Sequence, residues 1–312
     1  MSRILVTGAS GFIGRAAVAA LAAAGHQVRA ATRRPPVPPF APSPAVEVVA
    51  HRDLEAPVDW TPVLAGIDAV IHLAGIAHVE GIAAARHDHV NHLATVALAR
   101  AALTAGVGRL VFMSSIRAQT GPASELVLTE AAEPRPTDAY GRSKLAAETA
   151  LLRSGLPVII LRPVPVYGAG MKGNLYALMR LAALPIPLPF GAFANRRSLV
   201  SLHNLVAAIA HGLREPGGSE TYMVADPHPV SLADIVTAMR RGMGRSPRLI
   251  AAPPGLIRRG LTALGRRQDW ERLNATLIAD PSKLIATGWR PDPDTVSALA
   301  ATAREWRSGM GR

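Results

Sequence analysis

The stretch Arg3-Ile4-Leu5-Val6-Thr7-Gly8-Ala9-Ser10-Gly11-Phe12-Ile13-Gly14 decides how the rest of the chain is understood. Residues 3–7 make a short apolar strand, and an alanine-rich helix follows from about Arg15 to Ala24, with Gly25 as its stop. Gln27 to Thr32 is a second strand, closing a βαβ unit of about 30 residues. In that setting Gly8 allows the tight turn, Gly11 lets backbone approach phosphate, and Gly14 lets helix and strand pack closely. The N–H groups opening the helix, with Ser10, Phe12 and Ile13 on the same turn, then face a dinucleotide pyrophosphate.

Outward from this unit, Val46–Ala50, Ala69–Leu73, Arg109–Met113 and Val158–Leu161 are expected to be further buried strands. Helical stretches near Val90–Ala105 and Tyr140–Ser154 lie between them. Pro35 to Pro44 holds six prolines in ten residues and is expected to be a loop. Strands alternating with helices imply an α/β fold, a Rossmann-type doubly wound parallel sheet. Beyond Gly168, Ser198–Leu202 and Thr221–Val224 are expected strands around a helix from about Asn204 to Leu213, and Ser231 opens another helix with Asp234 in its first turn. The expected division is a dinucleotide-binding domain over 1–168 and about 196–228, with a smaller C-terminal substrate-binding lobe over about 169–195 and 229–312.

The end of the second strand bears on which dinucleotide is held. An acidic residue there would bind the ribose hydroxyls of NAD and repel a 2′-phosphate. This chain has Thr32, Arg33 and Arg34, and guanidinium groups suit phosphate, so NADP(H) is favoured over NAD(H). The alternative is that both arginines point to solvent. Asp53, followed by Leu54, is placed to meet the adenine amine or to serve as a turn carboxylate. Leu73, Ala74 and Gly75 would line the nucleotide.

Tyr140 and Lys144 are four residues apart on an expected helix and share a face. A free tyrosine has a pKa of about 10, too high for ready proton exchange near neutrality. A neighbouring ammonium and the positive nicotinamide both favour phenolate, and about three units of lowering require ~4 kcal/mol. The pair follows a strand that ends in Ser114-Ser115, whose hydroxyls emerge at the carboxyl edge of the sheet, where ligands sit in such folds.

With these motifs the chain resembles the extended short-chain dehydrogenase/reductases, the NAD-dependent epimerase/dehydratase family. The resemblance spans nearly the whole chain. It includes Thr7–Gly14, Asp53-Leu54, His72–Gly75, Asn91, Ser114-Ser115, Tyr140–Lys144, Arg162-Pro163, Val166–Gly168, Arg197 with Ser198–Leu205, and Asp280 with Lys283, Gly288 and Trp289. It implies that Tyr140 is the general acid/base, that Ser115 orients the substrate oxygen, and that Lys144 holds the nicotinamide ribose while tuning Tyr140. Asn91 would support that arrangement. Lys172–Asn174 with Asn195–Ser201 is most similar to bacterial 4-reductases of UDP-4-keto-6-deoxy-N-acetylhexosamines, which serve polysaccharide biosynthesis. By that resemblance Arg197 and Asn174 meet the UDP diphosphate; either is equally open to a structural role.

Two departures stand out. Ser115 to Gly121 is one residue longer than the usual spacing, with Gln119-Thr120 in place of Val-Tyr or Val-Asn, which bears on the shape of the sugar site. Ser115-Ile116-Arg117 also lacks the acidic pair of sugar 4,6-dehydratases, which argues against elimination chemistry. The leading expectation is reduction of a 4-keto nucleotide sugar. The alternative is a UDP-hexose 4-epimerase that retains NAD. A sensor or scaffold that binds NADP without catalysis would have no reason to keep Ser115, Tyr140 and Lys144 together.

With 49% hydrophobic and 18% charged residues, the composition is that of a soluble globular protein, and the absence of cysteine removes disulfides and thiol chemistry. A cytoplasmic chain without signal peptide or stable membrane insertion is expected. Relatives are often homodimers, which is an implication of resemblance only. His78, His87, His89 and His92 crowd one region, yet only His89 and His92 share helical spacing, so no metal site is expected. Residues 240–312 carry 14 Lys/Arg against 6 Asp/Glu. That basic third suits anionic ligands, nucleic acid or a membrane surface, or is a solvated arginine-rich surface; nucleic acid is not among the expected partners. Arg258-Arg259 and Arg266-Arg267 flank Leu261–Leu264 as a basic amphipathic segment.

Overall fold

In the computed structural model, which describes residues 1–33, 43–77 and 81–310, alternating apolar strands pair into one parallel sheet. The described strands, in chain order, are β1 (Arg3–Thr7), β2 (Gln27–Thr32), β3 (Val46–Ala50), β4 (Ala69–His72), β5 (Arg109–Met113), the short β6 (Val127–Leu128), β7 (Val158–Pro163), β8 (Val166–Tyr167), β9 (Arg196–Arg197), β10 (Val200–Ser201), β11 (Glu220–Val224), β12 (Val230–Ser231) and β13 (Ile278–Ala279). Seven of them form the sheet in the order β11-β7-β5-β4-β1-β2-β3, so the chain reverses direction of growth between β1 and β4. In open α/β sheets such a reversal opens a crevice at the carboxyl ends of the strands.

Side chains alternate across this sheet as the pleat requires. Ile4, Val6, Val111, Ile159 and Leu161 pack into one buried cluster, while Leu5, Leu110, Phe112, Val158 and Ile160 pack into another on the opposite face. The helices α1 (Phe12–Ala23), α2 (Thr61–Leu64), α3 (Ala84–His87), α4 (Ala94–Thr104) and α5 (Ala139–Leu152) connect the strands. A third cluster lies beyond Tyr167. It is built from α6 (Gly173–Ala182), the loop through Phe190 and Phe193, and residues of α8 (Leu232–Gly242) and α12 (Thr295–Met310). Between those helices run α7 (Leu202–Arg214), α9 (Pro254–Ala263), α10 (Arg267–Asn274) and α11 (Ser282–Ala286). Ser231 caps α8 in a reciprocal box with Asp234.

Three expectations are corrected. Val46–Ala50 is an edge strand with mostly exposed residues rather than a buried one, because β3 has a neighbour on one side only. The expected helix from Val90 begins earlier and contains a wide π turn at Asp88–Leu93 between α3 and α4. The expected strand Ser198–Leu202 shrinks to Val200–Ser201, since the Ser201 side chain accepts from the Asn204 N–H and starts α7. Arg34, most of the proline-rich loop and His78 lie outside the described residues.

Candidate active site

The glycine loop is built by close backbone approach. Gly8 has φ +66, and a Cβ there would lie 2.7 Å from the Ala74 nitrogen; one on Gly14 would lie 2.2 Å from the Gly8 carbonyl oxygen. The N-cap of α1 is Gly11, with no side chain spent on the helix's first amides. Those N–H groups are therefore left for an anion, and the loop fits a dinucleotide pyrophosphate. At the end of β2, the Thr32 hydroxyl is buried without a hydrogen-bond partner among the described residues, a second place where a bound ribose would be accommodated.

Below the loop, a buried relay fixes its floor. The Ala74 N–H donates to Thr7 Oγ1 (3.3 Å), Thr7 Oγ1 and His72 Nδ1 lie 2.7 Å apart, and His72 Nε2 is 3.0 Å from Thr95 Oγ1, which donates to the Asn91 carbonyl (2.8 Å). Because Thr95 spends its proton on that carbonyl, His72 must donate from Nε2 and accept at Nδ1. Burial, with Lys144 and His51 adding repulsion, lowers the His72 pKa to about 3, so the ring is neutral.

Tyr140 owes its place to Asp138, whose side chain caps α5 by accepting from the Gly141 N–H at 2.6 Å. Arg117 grips the same carboxylate, Nε lying 3.1 Å from Oδ2. A Cβ on residue 141 would lie 2.2 Å from the Arg117 carbonyl oxygen, so a glycine is needed for α5 to rest on the turn at Ile116–Ala118. Ser115 opens that turn, its Oγ accepting from the Arg117 N–H at 3.1 Å. The Tyr140 hydroxyl hydrogen-bonds the Ser115 side chain. Burial raises the Tyr140 pKa; the Ser115 bond and Arg117 oppose this, while Asp138 adds to it.

One turn on, Lys144 Nζ donates to the Met113 carbonyl at 2.9 Å and sits 4.7 Å from the Phe112 ring centroid. Burial lowers its pKa to about 8, and Glu148 opposes the shift. Glu148 belongs to a buried network that the sequence does not disclose. Its carboxylate accepts from Ser114 Oγ and from Arg162 Nε (3.0 and 3.1 Å), while Arg162 Nη1 donates to Gln119 Oε1. Gln119, expected to affect the shape of the sugar site, thus faces inward, and its Nε2 donates to the Ala132 carbonyl (2.6 Å).

Asn91 sits in the π turn and is fully buried. Its Oδ1 accepts from the Ile76 N–H (2.8 Å), and its Nδ2 donates to the Ile76 carbonyl (3.1 Å) and Ser143 Oγ (3.1 Å). It holds the Gly75–Ile76 segment against α5. The Tyr140 ring meets His87 edge-on at 5.9 Å.

These parts surround one cleft of about 740 Å³. Ile13, Leu73, Gly75, Ser115, Tyr140 and Lys144 line one wall; Asn174 and Arg197, with Lys172 and Arg272, line the other. Arg197 Nη2 donates to the carbonyls of Arg272, Leu273 and Ala275 (2.9–3.0 Å), and its buried Nε has no partner among the described residues. Gly8, Ser10, Gly11, Phe12, Gly14, Ala74 and Leu54 lie outside the cleft lining, and Leu54 is core. Arg33 Nη1 pairs with Asp53 Oδ2 at 2.9 Å. Burial alone would raise the Asp53 carboxyl, but Arg33 and the Glu55 amide hold it below its ordinary value. His92 Nδ1 is 2.9 Å from Asp88, and no metal-binding group of side chains occurs among the described residues.

The sequence model of the NAD dependent epimerase/dehydratase family matches residues 4–225. The UDP-glucose 4-epimerase of Vibrio cholerae is 32% identical over 99% of this chain and 97% of that protein. The ceramide reductase of Caulobacter vibrioides is 30% identical over 92% of this chain and 86% of its own. Among solved structures, MoeE5 in complex with UDP-glucuronic acid and NAD superposes with a TM-score of 0.77 at 26% identity, covering 98% of this chain and 99% of that one. No helix among the described residues is long and apolar enough to cross a membrane.

Proposed function

The chain belongs to the NAD dependent epimerase/dehydratase family and is an enzyme of that extended short-chain dehydrogenase/reductase type; on that premise we propose that it epimerises C4 of a UDP-hexose on retained NAD. The observation that carries this reading is the single cleft in which the Ser115–Tyr140 pair faces a wall bearing Lys172, Asn174 and Arg197. A diphosphate needs cations and directed donors at one end, and a sugar hydroxyl needs a proton-transfer group at the other. The relatives described above support the choice of sugar nucleotide.

The dinucleotide, when bound, supplies the hydride chemistry at its nicotinamide ring. The backbone of the glycine loop would hold its pyrophosphate, and Lys144 its nicotinamide ribose. Tyr140 takes the proton of the sugar C4 hydroxyl as C4 is oxidised and returns it when C4 is reduced from the other face. Ser115, its side chain already hydrogen-bonded to the Tyr140 hydroxyl, holds the same oxygen. Arg197 and Asn174 would keep the diphosphate in place while the keto sugar turns. The lobe around the third cluster is proposed as the substrate-binding part.

NAD, rather than the expected NADP, follows from Arg33. Its guanidinium is shared with Asp53, so a 2′-phosphate there would meet a carboxylate as well as a cation. A second reading, the 4-reductase of a UDP-4-keto-6-deoxy-N-acetylhexosamine, draws support from Lys172 and Asn174 standing in the cleft wall. The purified chain with NAD and UDP-glucose should form UDP-galactose with no net cofactor turnover. Consumption of NADH or NADPH on the 4-keto sugar, without epimerisation, would replace the first reading by the second. Failure of both would overturn the assignment.

A further inference from the structure

The strongest unassigned feature lies on the C-terminal lobe, away from the cleft lining. Residues 149–214 and 235–268 contain no Asp or Glu, although the second stretch alone holds eight arginines. Two segments from these stretches run side by side. The Leu188 N–H donates to the Arg248 carbonyl, the Ile250 N–H to the Leu188 carbonyl, and the Gly191 N–H to the Ile250 carbonyl. Arg240, 2% exposed, rivets them from beneath: its guanidinium donates to the carbonyls of Ala182, Leu184, Ile186, Pro247 and Arg248 and has no carboxylate partner among the described residues. Arg248 itself is held at φ +43, a strained value for a non-glycine residue.

What this rigid platform displays is unusual for a solvated surface. Leu184 (44%), Ile186 (51%) and Ile250 (55%) are exposed, and a short link after Ile250 leads into α9, where Leu256 (60%) and, at the C-cap, Leu264 (73%) are exposed as well. Leu256 and Gly260 fall one turn apart on α9, Leu264 caps its C-terminus, and Ile257 packs inward on the third cluster. No residue of α9 is fully buried. Arg245, Arg248, Arg258 and Arg259 are exposed in the 245–250 segment and α9 and have no side-chain partners among the described residues.

We propose that this face, residues 184–186 and 245–250 together with α9, docks on an anionic lipid bilayer, with the aliphatic side chains in the interface and the arginines on phosphate headgroups. Interleaved arginine and aliphatic side chains on a helix that lies flat match that medium, in which the apolar face is buried only to the headgroup boundary. A nucleic-acid surface would instead present aromatic or hydrogen-bonding side chains between its cations. The proposal is independent of which reaction the cleft performs.

Flotation of the full chain with phosphatidylcholine vesicles, with and without phosphatidylglycerol, tests it. The chain should float with the anionic vesicles, remain in solution with the neutral ones, and be released by high salt. Arg258→Gln with Arg259→Gln should weaken binding by about fivefold per residue, roughly thirtyfold together. Leu256→Ser with Leu264→Ser should weaken it by about tenfold or more. Neither pair lines the cleft, so the thermal midpoint and turnover in solution should match those of the parent. Equal binding to both vesicle types, no binding at low salt, tighter binding to a DNA duplex than to anionic vesicles, or full binding by the arginine variant would each overturn the proposal.

Discussion

Two tyrosines, Tyr167 buried and Tyr140 half-buried at the cleft, show how differently a desolvated phenol can be partnered. Burial raises the pKa of both Tyr140 and Tyr167. Tyr167 donates to Asp226 Oδ2 at 2.7 Å, and that carboxylate also accepts from Asn204 Nδ2 (2.7 Å) and the Ser201 N–H (3.1 Å). Asn204 in turn exchanges hydrogen bonds with the backbone of Asp292, so the Tyr167 proton is locked into a seam that ties the C-terminal segment to β8 and β10. Around Tyr140 the carboxylates are placed differently. Asp138 is occupied by the α5 N-terminus and Arg117, and Glu148 by Arg162 and Ser114. The Tyr140 hydroxyl instead meets Ser115 at the edge of the cleft. Burial thus raises both phenols, and what separates them is the partner, a committed carboxylate for Tyr167 and a serine hydroxyl at the cleft for Tyr140.

On the proposed reaction the largest effect should come from Tyr140→Phe, which removes the hydroxyl proposed to exchange the sugar proton and should lower kcat by about 10²–10⁴ with an unchanged thermal midpoint. An equal kcat loss in a folded Tyr167→Phe variant would break the comparison. Glu148→Gln leaves Arg162 buried without its anion and should cost about 3–5 kcal/mol in urea unfolding. It should also move the alkaline limb of kcat/KM to lower pH, because Glu148 is what opposes the burial-driven fall of Lys144 to about 8. Tyr167→Phe, which deprives Asp226 of a donor, should cost about 1–3 kcal/mol of stability and leave kcat intact.

His72 tests burial as the common cause. Its folded pKa of about 3 lies below its unfolded value of 6.5, so the unfolded chain takes up the proton first and stability falls as pH drops from 6.5 towards 3. About 2 kcal/mol should be lost by pH 5 in calorimetry, and His72→Asn should remove that part of the slope. The smallest effect concerns a solvated pair. Asp53→Asn frees Arg33, and since exposed pairs are worth about 0.2–1 kcal/mol, the NADP(H)-to-NAD(H) affinity ratio should rise about fivefold at most.

Local features of the site were legible and distant pairings were not. The strand, glycine loop and helix over residues 3–23 declare themselves because each needs its residues at fixed near spacing, and so does the Tyr140–Lys144 face of α5. Burial of β3 was misjudged because Val46, Val48 and Val49 look like core residues until their position at the sheet edge is known. Glu148 and Arg162 are 14 residues apart, and Gln119 and Arg162 are 43 apart, so nothing in either neighbourhood announces the network. Arg117 had a usable signal: Asp138, two residues before Tyr140, is a capping carboxylate able to draw a cation.

The π turn at Asp88–Leu93 has a consequence for chain length. It stores one extra residue inside a continuous helical run instead of in a loop. Deleting one position there would restore an ordinary turn, but every side chain upstream would rotate by about 100° relative to α4. Asn91 would swing off Ile76, and the Gly75–Ile76 edge of the crevice would lose its brace. A related chain one residue shorter at this point must hold that edge by other means.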